Sequence, residues 1–141
     1  MLTLEKARII IAETLKAGIA KGFKPLTVAV LDQGGALIAL ERSDGSSRMR
    51  PDIAIGKANG AVGLGMGSRA LNKRAEEQAY FIQAMNALAK GVLVPVPGGV
   101  LVKGQGGEIL GAVGVTGDTS DNDEMAAIAG IEAAGFAADG G

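Results

Sequence analysis

The chain has 141 residues, a formal net charge of −1, 48% hydrophobic residues and neither cysteine nor histidine. That length fits one domain, and the missing residue types exclude disulfides, thiol nucleophiles, thiolate metal sites and any Ser-His-Asp triad. With no basic excess and only Tyr80, Phe23, Phe81 and Phe136 as aromatic residues, it offers nucleic acid neither a cationic footprint nor a stacking platform.

Thr3 to Lys21 reads as an amphipathic helix, with Leu4, Ala7, Ile11, Leu15 and Ile19 at helical spacing, Thr3 as its cap and Gly22 as its stop. Glu5, Lys6 and Arg8 precede any long apolar run, so no secretory leader is expected and the expected location is the cytoplasm. No uncharged run is long enough to span a membrane. Leu26–Leu31 and Ala36–Leu40 read as an antiparallel hairpin about the turn Asp32-Gln33-Gly34-Gly35. Ser43–Pro51 is a polar loop, after which Asp52 is placed to cap a helix running to about Gly63. Gly56 and Gly60 lie four apart in that helix, a spacing that lets another backbone come close. Ser68–Lys90 is a further helical region in one or two pieces, and Val92–Val96 a short strand or extended piece. Val100–Lys103 and Glu108–Val115 form a second hairpin, Asp121–Phe136 the closing helix, and Ala137–Gly141 a tail expected to fray. Helix, two strands, two helices, three strands, helix gives an α+β domain with one antiparallel sheet.

Four stretches carry a resemblance: TVAVLDQGGALIALERSDG, DIAIGKANGAVGLG, PGGVLV and GEILGAVGVTGDTSDNDEMAAIAGIEAA. In this order, from about residue 3 to residue 136, they resemble the GlcG/HbpS-like family, whose relatives include the C-terminal domain of PduO-type proteins. The resemblance implies a profilin-like architecture, a five-stranded antiparallel sheet flanked by helices, and assembly into homo-oligomers. It also implies haem as a possible ligand. The family pattern falls on Asp32, Gly34, Gly35, Arg42, Asp44, Gly45, Lys57, Gly98, Gly99, Gly114, Thr116, Gly117, Asp121 and Asp123. Members that ligate haem through histidine depart from this chain, which has none. Iron here would need Met, Tyr80, Lys, a Thr oxygen or water, which are weaker or rarer axial ligands.

Pro97–Gly99 and the exit Thr116-Gly117-Asp118-Thr119-Ser120 are expected to share one solvent-reachable hollow, where glycine makes room and free backbone amides meet a ligand. The expected ligand-binding residues are Arg42, Lys57, Pro97, Gly98, Gly99, Thr116, Gly117, Thr119, Ser120 and Asp121. Asp118, Asp121, Asp123 and Glu124 crowd seven residues, which suits helix capping better than a metal site, because no EF-hand spacing is present. Lys57 sits among the small residues of IGKANGAVG, where burial lowers an amine toward a base or Schiff-base role, while clamping an anion is the commoner use. The composite expectation is a protein that binds a small ligand, haem or a small carboxylated metabolite. The alternative is an enzyme moving a proton on a small oxoacid, by isomerisation or hydration, with Lys57 or Asp121 as base and Arg42 or Arg50 holding the carboxylate. A third possibility is an assembly subunit in which the glycines serve subunit packing.

Overall fold

A computed structural model describes residues 1–141. In chain order the elements are α1 (Leu4–Ala20), β1 (Thr27–Asp32), β2 (Leu37–Arg42), α2 (Arg50–Leu64), α3 (Ser68–Glu77), α4 (Ala79–Leu88), β3 (Gly99–Lys103), β4 (Ile109–Thr116), α5 (Ser120–Ala133) and β5 (Ala137–Asp139). The strands form one antiparallel sheet in the order β2-β1-β4-β3-β5. The fold is α+β, as the sequence pattern and the resemblance both imply. No helix is long and apolar enough to cross a membrane.

Strand alternation builds two unequal cores. Val28, Val30, Val100, Val102, Val113 and Val115 face α1 and α5 and meet Ile10, Ile11 and Ile131. The opposite face carries Leu31, Leu101 and Ala112 against Ala58 and Ala61 of α2. That second layer is thin because α2 lies almost on the sheet. A Cβ at Gly114 would collide with the Ala54 carbonyl oxygen, so β4 needs glycine there. Leu71, Ile82 and Leu93 make a third cluster, where α3 and α4 fold back beside α2.

Two local expectations change, and of the two forms expected for Val92–Val96 the extended piece is the one present. The helix expected to be capped by Asp52 begins at Arg50, with Met49 in the capping position and Asp52 inside the first turn. Pro51 explains the shift, since its fixed φ and missing N–H suit the first turn. Val92–Val96 is extended but does not join the sheet. It crosses α2, where Val94 donates to the Gly56 carbonyl (3.1 Å) and Leu93 packs on Gly60. Those glycines therefore receive a segment of the same chain. Finally, the tail expected to fray supplies the fifth strand: Ala137, Ala138 and Asp139 pair with Lys103, Val102 and Leu101. Gly135, at φ 91°, ends α5 early and turns the chain back along the exposed edge of β3.

Candidate functional site

Lys57, in the middle of α2, is the largest fully buried side chain group of the molecule, and it is charged. Its Nζ donates to the Val115 carbonyl (2.9 Å) and to Asp123 Oδ2 (3.1 Å), and both side chains are 2% exposed. The second Asp123 oxygen accepts the Asp118 amide at 2.9 Å. One ion pair thus ties the middle of α2 to the end of β4 and the first turn of α5. Burial pushes the Lys57 amine below its usual value and the Asp123 carboxyl above its own, and each partner's charge opposes the other's shift.

The bend before β3 is built around this lysine. Gly98 takes φ 121°, and a Cβ there would lie 2.6 Å from the Val115 oxygen and 2.8 Å from Lys57 Nζ. Glycine is needed for both the backbone angle and the space. Its carbonyl accepts the Val115 amide (2.9 Å), and the Gly99 amide donates to the buried Ser68 hydroxyl (2.6 Å). The Pro97–Gly99 bend and the Thr116–Asp121 exit therefore do meet, as the sequence suggests, but the Lys57 side chain fills the space between them. Of the five surface hollows, none is lined by Gly98, Gly99 or any residue from Thr116 to Asp121. Pro97 alone lines one, beside Arg69, Asn72, Lys73 and Glu76.

The remaining candidates separate. Thr116 is buried, and its hydroxyl accepts from Arg50 Nη1 at 2.7 Å. Gly117 is half-buried in the bend. Asp118 accepts from the Lys24 amide (2.8 Å), the Asn122 side chain (2.7 Å) and the Thr119 amide (2.9 Å), which lower its carboxyl to about 2. Thr119 caps α5 by accepting the Asn122 amide. Ser120 is the first helical residue. Asp121 is 75% exposed and pairs with Arg69, which also holds Glu124. No three acidic side chains converge to hold a metal ion. Arg42 is exposed at the end of β2, directly across from Thr27.

Chemically, this leaves the two proposed bases poorly placed. Lys57 is enclosed and occupied by a carboxylate and a carbonyl, while Asp121 stands in solvent beside an arginine. The arrangement instead offers guanidinium and hydroxyl groups near the strand exit. Sequence reading missed Ser68, Arg69, Asn122 and Thr27. A signal for the Lys57 partner was present: a lysine among glycines and alanines is enclosed, and an enclosed cation requires an acid. The pattern does not say which of four neighbouring acids it is.

Comparison with known proteins agrees with this fold. The model of a family described as "Haem degrading protein HbpS-like" matches residues 2–132. An uncharacterized 15.0 kDa protein in the dhaT-dhaS intergenic region of Citrobacter freundii is 30% identical over 105 residues, 73% of this chain and 71% of that one. A double mutant of Streptomyces reticuli HbpS is 30% identical, with a TM-score of 0.78 over 93% of this chain and 85% of that one. A PduOC–haem complex shares the fold, with a TM-score of 0.83, 18% identity and 94% of each chain covered.

Proposed function

The chain belongs to the HbpS-like family, and from that membership we propose that it is a small-ligand-binding protein whose ligand carries a carboxylate. The observation that carries the choice of ligand is the Arg50 guanidinium, which lies 2.7 Å from the Thr116 hydroxyl at the strand exit and has no acidic side chain paired with it. Guanidinium and hydroxyl groups together suit a planar, two-oxygen anion.

Haem, the ligand of the PduOC complex, fits this chain's residues poorly. There is no histidine to hold iron. The apolar hollow between α2 and α4, about 300 Å³, is lined by Asn59, Gly60, Gly63, Leu64, Met85, Leu88, Ala89 and Leu93. It offers the Met85 thioether but no cation to meet propionate groups. Tyr80 is 70% exposed and lines no hollow. A proton-transfer reaction lacks support, because Lys57 is buried against Asp123 and the Val115 carbonyl. Assembly into a homo-oligomer belongs to the same reading and rests on the family resemblance, with light scattering on the purified chain as its check.

The test is paired. Thermal unfolding is followed with small carboxylates, and absorbance with added haem. A carboxylate at a hundred times its Kd should stabilise the fold by about 2.7 kcal/mol, while haem gives no saturable Soret shift. A saturable shift at one haem per chain, with carboxylates inert, would overturn the choice of ligand. Silence from both would overturn ligand binding itself.

A further inference from the structure

One end of the sheet's α2-facing side carries a row of polar side chains. Leu26, Val28 and Val30 all join the core under α1 and α5, and Leu31 joins the α2 core, so alternation puts Thr27 on the α2 side. The register sets Arg42 of β2 opposite Thr27, and Thr27 opposite Thr116 of β4. Opposed residues of neighbouring strands share a face, so Arg42, Thr27 and Thr116 stand in line across three strands. Arg50, the first residue of α2, closes the line by donating to the Thr116 hydroxyl.

Two independent features point to a ligand here. Thr27 is 0% exposed, yet its hydroxyl has no hydrogen-bond partner. A buried hydroxyl left unpaired is disfavoured and calls for an occupant. The Ser46 hydroxyl, in the loop between β2 and α2, is likewise buried and unpaired. The second feature is that neither Arg42 nor Arg50 is ion-paired: the paired acids are Asp123, Asp121, Glu124 and Asp139, all bound to other cations. Among the remaining nearby acids, Asp44 and Asp52 are exposed, Asp118 is taken by Lys24, Thr119 and Asn122, and Glu41 faces the other side of the sheet opposite Val28.

We propose that this row is an anion subsite for a small carboxylic acid, whose carboxylate lies between Arg42 and Arg50 and accepts hydrogen bonds from the Thr27 and Thr116 hydroxyls. The proposal rests on the ligand-binding reading above and deepens it. Thr116 keeps its own O–H free to donate, since toward Arg50 it acts as acceptor. Two hydroxyl donors and two guanidinium groups complement the lone pairs of one carboxylate. The row opens into no hollow, so the ligand enters as Arg50 leaves Thr116. This limits the ligand to a few carbons beyond the carboxylate.

The test is a titration of the full chain with acetate, pyruvate and succinate at constant ionic strength, followed by amide chemical shifts, with sulfate as the general anion. The wild type should saturate with a carboxylate, its largest shifts falling on Thr27, Thr116 and the 43–49 loop. Thr27→Val, which exchanges only the hydroxyl for a methyl, and Arg42→Gln, on an exposed side chain, should each weaken binding about tenfold. Sulfate binding as tightly as any carboxylate, or shifts confined to the α2–α4 hollow, would overturn the subsite. Unchanged affinity in both variants would overturn it too, while leaving ligand binding intact. No response of the wild type to any carboxylate would remove the subsite, and a haem response would then leave ligand binding standing.

Discussion

At the residue scale, Lys57 and Asp123 matter most, because each makes the other tolerable. Burial alone raises the cost of both charges: with the Asp123 carboxyl held above its usual value the fold loses stability as pH rises from 3.8, and with the Lys57 amine held below its own it does so as pH falls from 10.5. Near neutral pH the pair is therefore a point of registry more than a source of net stability. Lys57→Met should lower unfolding stability by about 3–5 kcal/mol, because it strands a buried carboxylate. Adding Asp123→Asn, which keeps an acceptor for the Asp118 amide, should restore most of the loss; denaturant melts of the single and double variants measure both. Asp118 carries the opposite sign. Its carboxyl is lowered from 3.8 to about 2, first by the Lys24 amide, so its contribution is complete above pH 3.8 and is lost as pH falls through about 2. Asp139 is lowered in the same direction, first by Lys103. Asp118→Asn should flatten the acid limb of the stability–pH curve across that window. Stability that falls as steeply in the variant would show that Asp118 is not the group responsible.

At the scale of elements, the seat of α2 on the sheet decides which side chains meet at the end of β4. Gly114 lets the Ala54 carbonyl rest against β4, and this proximity brings Lys57 to the end of that strand and Arg50 to Thr116. Gly114→Ala should lift α2 and lower stability by about 1–3 kcal/mol, measured by thermal unfolding, with the Lys57–Asp123 contact loosened. The C-terminal strand makes a separate contribution. Deleting residues 137–141 removes the pairing with β3, the Lys103–Asp139 ion pair and the Arg69 amide bond to the Gly140 carbonyl. It should also expose an apolar strand edge, so faster aggregation on heating is the expected result. Sequence reading expected a loose tail there because small residues such as Ala137, Ala138 and Gly140 carry no strand signal of their own. Pairing with β3 decides their conformation, and pairing is a property of the whole sheet. The same reasoning explains Val92–Val96. Its β-branched composition reads as a strand, but the glycine surface of α2 receives it instead.

At the scale of the molecule, the hairpins, the helices and the antiparallel sheet were legible because their periodicities and turns are local. Lys57 was also legible, since it stands alone among small residues. The filling of the expected hollow was not, because it depends on how far α2 sits from the sheet. Nor was Thr27, a single hydroxyl in an apolar run whose significance appears only when β1 is placed between Arg42 and Thr116. The proposed ligand site follows from the same geometry. The late bend and the start of α5 are closed by an ion pair, and the unpaired polar groups lie one strand further along, beneath the first turn of α2.

The most direct measurement is a crystal structure of the protein grown with a carboxylate that raises its melting temperature saturably. The account predicts a carboxylate density bridging Arg42 and Arg50, within hydrogen-bond distance of the Thr27 hydroxyl, with Lys57 still paired to Asp123. Density in the α2–α4 hollow, or against a Lys57 released from Asp123, would contradict it.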